Sequence, residues 1–157
     1  MGFSAVVGAS LAPLINLAMV VDPTIIVTAA LLTAVVFATF SAIATLSPNR
    51  SLLYIGGTLS SVLGWLAIAS LINIFVRSPL LLRAEVFIGL FVFCGFVAFD
   101  TQLLLARATD KVSSGVRLTI DDAVHAAVHL FMDLVNLFVR ILIILLQNSK
   151  KEKKERR

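Results

Sequence analysis

Charge is scarce in this chain. Of 157 residues only 14% are Asp, Glu, Lys or Arg, against roughly 25% in an ordinary soluble domain. There is one cysteine, Cys94, so no disulfide can form within the chain and cysteine usage does not settle the compartment. There are two histidines and no HExxH motif. A Gly-rich phosphate loop, a CxxC pair and a basic patch with interleaved aromatics are all missing, so a nucleotide-binding loop, a zinc ribbon and a nucleic-acid surface have no support. The N-terminus lacks the basic start of a cleavable signal, and equally apolar segments follow it, so no signal peptide is expected. What remains is apolar: 59% of the residues are hydrophobic. That combination describes an integral membrane protein.

Five hydrophobic segments are legible. The first covers about Phe3–Val21 and carries no charge. Asp22-Pro23 has the form of a helix cap followed by proline at the first helical position. The second covers about Thr24–Leu46 and stops at Ser47-Pro48-Asn49; the third covers about Leu52–Val76. Ser78-Pro79 is another cap-plus-proline start, for a fourth segment of about Leu80–Ala106. A polar linker from Arg107 to Leu118 precedes the fifth, about Ile120–Leu146. Each is near the ~20 residues that cross ~30 Å of hydrocarbon. Because a bilayer leaves no backbone group unpaired, the expectation is an all-α, polytopic membrane helix bundle. Residues 1–147 form the embedded domain and residues 148–157 a basic tail.

Two of the nine acidic residues, Asp100 and Asp133, lie deep in spans; the other seven fall in or near loops and tails. A carboxylate in hydrocarbon costs at least ~2.5–3.5 kcal/mol, so such groups face a bundle interior or a water path. Two of them close together cannot both ionise cheaply; one proton is shared, and losing it makes the pair repel. Two ionised carboxylates also suit Ca²⁺, which takes oxygen ligands. The plain alternative is that each only hydrogen-bonds a neighbouring helix.

The fifth segment carries a stripe. Asp122, His125, His129, Asp133, Asn136 and Arg140 are spaced 3, 4, 4, 3 and 4. At ~100° per residue they fall within about 80° of arc. A narrow polar stripe on an apolar helix is what a pore or bundle interior requires; the alternative is a helix lying flat with the stripe in water. His125, His129 and Asp133 could offer two or three ligands to Zn²⁺, but no further His or Cys pairs with them, and no resident metal or cofactor is expected. The histidines can add acid sensitivity. Arg140 can pair with a carboxylate, snorkel or reach phosphates. Gln102 can orient Asp100 or simply pack. Thr119 to Asp122 fits a capping box, which accounts for Asp121 and Asp122 at a helix start. Arg83 and Glu85 are expected as interfacial anchors. Gly56, Gly57, Ser61 and Gly64 favour close helix packing. Tyr54 and Trp65 pack or sit at interfaces. Asn49-Arg50-Ser51 is a sequon in a short loop, which argues against glycosylation.

Six of the thirteen basic residues stand in the last eight positions: Lys150, Lys151, Lys153, Lys154, Arg156 and Arg157. They place the tail in the cytosol and attract anionic lipid at ~1 kcal/mol each near the surface. If the fifth segment spans fully, eight basic residues lie inside and four outside; if it re-enters, ten lie inside and two outside. The charge rule mildly favours re-entry and the segment length permits a span. As a dilysine retrieval signal the tail is imperfect, with Glu155 at the third position from the end.

CGFVAFDTQLLLARA (Cys94 to Ala108) and HLFMDLVNLF (His129 to Phe138) resemble the Bax inhibitor-1 family, the transmembrane BAX inhibitor motif proteins. The Lys-rich end is similar to that of the eukaryotic members. Weaker similarity runs back through YIGGTLSS, VDPTII and GFSAVVGASLAPL, so it covers the whole chain. The resemblance implies a multi-pass endoplasmic reticulum protein that is no enzyme. It further implies a pH-sensitive calcium leak and suppression of stress-induced apoptosis, with Asp100 and Asp133 as the di-aspartyl sensor and Ca²⁺ as permeant ion. Membrane lipids, Bcl-2-type cell-death regulators and a second copy of the chain are the implied partners. His129 stands where vertebrate members often carry an acid. Family members have six or seven helices with an N-terminal pair before this point, so a truncated form, a short isoform or an incomplete gene model is expected. Two competing functions remain: a non-conducting adaptor that binds cell-death regulators, and a zinc-dependent intramembrane hydrolase.

Overall fold

The computed structural model describes residues 2–47 and 50–157, without the Arg50 side chain. Among them are five long helices and no strand: α1 Gly2–Val21, α2 Pro23–Leu46, α3 Ile55–Val76, α4 Pro79–Ser113 and α5 Ile120–Glu155. A 3-10 turn, Arg50–Tyr54, leads into α3. All five are long and apolar enough to cross a membrane. Asn49 of the sequon lies outside the described residues.

Local chemistry sets the starts. Asp22 accepts from the Thr24 N–H at 2.9 Å with Pro23 in the first turn of α2, and Ser78 caps α4 ahead of Pro79. At α5 the capping box is built: Asp122 Oδ2 accepts from the Thr119 N–H at 3.0 Å. The ends depart from the hydrophobic pattern. α4 continues through Arg107 to Ser113 and α5 through the basic run to Glu155. Ala, Arg, Lys and Glu are good helix formers, so the helix outlasts the apolar stretch. α5 is unbroken over its 36 residues, with no reversal inside it, and is long and apolar enough to cross a membrane. At 1.5 Å per residue α4 and α5 are each more than ~50 Å long, well beyond ~30 Å of hydrocarbon.

α2, α4 and α5 pack on one another in the centre; α1 lies against α2 and α5, and α3 against α4. Ala18, Ala29, Val97, Leu137 and Leu142 are fully enclosed. Lipid tails are as apolar as leucine, so close approach rather than the hydrophobic effect holds these helices together, and small residues permit it. A methyl at Gly56 would overlap the Phe99 ring, and one at Gly95 the Leu59 side chain, which fixes α3 on α4. Gly57 and Gly64 face open space, so of the three glycines expected in packing only Gly56 serves. Tyr54 and Trp65 are exposed on the outside.

Candidate functional site

α4 and α5 form a hairpin, and its arms are equal. Asp100 stands thirteen positions before the end of α4 at Ser113, and Asp133 thirteen positions after Ile120, the start of α5. At 1.5 Å per residue each arm is ~20 Å, which brings the two carboxyls to one depth. The loop end is fastened by Lys111, whose Nζ donates to Asp122 Oδ2 at 2.5 Å. Asp133 is 6% exposed and has the Asp100 carboxyl as its charged neighbour. Its Oδ2 is enclosed and has no hydrogen-bond partner among the described residues.

Both aspartates line a cleft of about 1200 Å³ between the two helices. Its apolar wall is Leu63, Phe93, Phe96, Phe99 and Leu103; its polar residues are Arg107, Asp110, Lys111, Asp122, His125 and His129. The cleft therefore runs from the charged hairpin loop to the aspartates. His129 Nδ1 lies 3.7 Å from Asp100 Oδ2. A protonated His129 would neutralise Asp100 at that range.

The α5 stripe divides in two. Asp122, His125, His129 and Asp133 border this cleft; Asn136 and Arg140 line a second, smaller cavity of about 220 Å³ with Ser70 and Glu85. Arg140 faces the protein interior and binds a backbone carbonyl. Its Nη1 donates to the Glu85 carbonyl at 3.1 Å, and the Glu85 carboxylate is its opposing charge. Glu85 is not the interfacial anchor expected. It is 8% exposed and accepts from Ser70 Oγ of α3 at 2.5 Å, because its turn of α4 faces protein on two sides. Arg83 is half-buried.

Gln102 is corrected too. Two residues beyond Asp100 is ~200° around a helix, so Gln102 points away from the cleft, and its Oε1 accepts the Leu52 N–H of the 3-10 turn at 2.9 Å. The tail residues Lys150, Lys151, Lys154, Arg156 and Arg157 are exposed; Lys153 Nζ donates to the Val21 carbonyl at the end of α1, 3.0 Å away. Among the described residues no three His, Cys, Asp or Glu come together as a metal set. Composition gave no sign of Gly89 or Phe93, the residues that seat Arg140. The signal lay in the spacing Glu85, Gly89, Phe93, one face of a helix.

A model of the family described as "Inhibitor of apoptosis-promoting Bax1" matches residues 1–150. Bax inhibitor 1 of Mus musculus is 39% identical over 158 residues, which cover 99% of this chain and 62% of the mouse protein. Bax inhibitor 1 of Arabidopsis thaliana is 44% identical over 145 residues, 90% of this chain and 55% of the plant protein. Probable Bax inhibitor 1 of Paralichthys olivaceus is 38% identical, again with 99% and 62% covered. The chain thus spans about three fifths of the length of these relatives. With nearly every residue matched, and the paired aspartates at one depth on facing helices, this five-span chain belongs to the Bax inhibitor-1 family.

Proposed function

We propose that the chain is a pH-sensitive calcium leak of the endoplasmic reticulum membrane, with Asp100 and Asp133 as its gate, and that through this leak it restrains stress-induced cell death. The observation that carries the reading is the meeting of the two carboxyls in a cleft between α4 and α5. A proton held between them bolts α4 to α5. When it leaves, the two charges repel, the helices part, and the site offers oxygen ligands to Ca²⁺. A leak needs such a site to bind weakly enough to release the ion. Arg107, Asp110, Lys111, Asp122, His125 and His129 line the approach and bias the local proton balance. The relatives' name, Bax inhibitor 1, supports the cell-death role, and no catalysis is part of the reading.

Asp133→Asn in purified chain reconstituted into vesicles should lower Ca²⁺ flux and flatten its rise with pH. Flux and pH response equal to the parent's would defeat the gate assignment.

A second reading, a non-conducting adaptor, draws support from the helical tail with its exposed lysines and arginines. Removing residues 148–157 separates the two. An adaptor that uses the tail loses partner binding, whereas a leak keeps its flux and changes only in regulation.

A further inference from the structure

The cleft and the second cavity are each lined by one member of a stacked pair, Phe93 and Arg140. Phe93 of α4 lines the cleft, and Arg140 of α5 lines the cavity beyond. The Arg140 guanidinium carbon sits 5.0 Å from the centre of the Phe93 ring, a cation–π geometry. The guanidinium also fills the notch left by Gly89, where any side chain would overlap it. Its Nη1 is tied to the Glu85 carbonyl, and the Glu85 carboxylate, held by Ser70, balances its charge. Arg140 thus has a built seat. It lies seven residues past Asp133 on the same stripe, ~10 Å along the axis.

We propose that Arg140 is the barrier of the ion path: seated in the Gly89 notch against Phe93, its guanidinium closes the di-aspartyl cleft from the second cavity, and cations cross only when it leaves that seat. The proposal rests on the leak reading and adds a second closure to it. A cation released by Asp100 and Asp133 toward the cavity meets a positive charge stacked on an aromatic ring. Asn136, Ser70 and Glu85 beyond it are ligands a cation can use once the guanidinium has moved.

Two substitutions unseat Arg140 by different routes. Arg140→Gln removes the charge. Gly89→Ala keeps the charge and displaces the guanidinium, and it suits the helix better than glycine does. In calcium-loaded vesicles carrying the full chain, both should raise Ca²⁺ efflux severalfold over the parent. Arg140→Lys, which keeps a cation in place, should raise it less. Adding Asp133→Asn to either unseating variant should abolish the gain. If neither variant exceeds the parent while Asp133→Asn still lowers parental flux, the leak stands and Arg140 is only a structural tie. If parent and both variants pass no more Ca²⁺ than protein-free vesicles, the leak reading falls and takes this one with it.

Discussion

At the scale of single residues, position on the helix decides what a side chain does. Gly56 and Gly57 are neighbours in sequence, yet only Gly56 faces a partner. Gly57→Leu adds a lipid-facing side chain and removes a poor helix former, so the melting temperature in detergent should hold or rise. Gly56→Leu forces the Phe99 ring aside; overpacking of this kind costs about 1–3 kcal/mol. A scan of thermal aggregation in one detergent compares the two, and equal midpoints would show that α3 does not rest on α4 there. Asp133 and Glu85 show the same dependence among charged residues. Both are buried acids, but Glu85 has Ser70 and Arg140 beside it, whereas Asp133 has another acid and an unpartnered oxygen. An enclosed acceptor without a partner costs about 1–3 kcal/mol, a cost that a proton or a cation offsets. Its neighbours, more than its own chemistry, distinguish Asp133 from Glu85.

At the scale of elements, the turn between α1 and α2 carries a pH dependence. The Thr24 N–H and hydroxyl beside Asp22 hold its carboxyl below the usual carboxylate range, with Lys153 adding to the effect. A depressed value in the fold means the contribution is full above the unfolded value of about 3.9 and is lost as pH falls through the folded one. The melting temperature should therefore decline below about pH 4, and Asp22→Asn, which can still cap, should flatten part of that decline. A variant whose profile overlays the parent's would remove Asp22 from the account. The tail end of α5 enters the same turn, since Lys153 takes a carbonyl that α1 leaves unpaired. Removal of residues 148–157 should thus speed amide exchange at the end of α1, read by hydrogen–deuterium exchange. Unaltered exchange there would mean that this contact does not hold the turn.

At the scale of the whole molecule, α1 and α3 are outer helices with broad apolar faces, which cost little against lipid. Trp65 of α3 is the chain's one tryptophan and is 73% exposed. In vesicles, lipids with brominated acyl chains should quench its fluorescence strongly, and aqueous iodide weakly. The reverse pattern would put that face of α3 in water or against protein.

Five spans, their capped starts and the polar stripe of the fifth were legible in the sequence because each has a local cause: an apolar run of bilayer length, a side chain that meets an unpaired N–H, a 3.6-residue period. The ends of α4 and α5 were less so: Arg107, Ala108, Lys111 and the basic run favour helix although Thr109, Asp110, Val112 and Ser113 do not, and hydropathy marks where lipid stops rather than where a helix does. The facing partners of Glu85, Gln102 and Arg140 came only with the tertiary structure. α4 is apolar over most of its surface; Asp100 requires one face to turn inward, but the pattern of α4 alone does not set the angle. That angle is fixed by Gly95 against Leu59, by Gly89 beneath Arg140 and by two equal arms that carry Asp100 to Asp133, contacts between residues far apart in the chain.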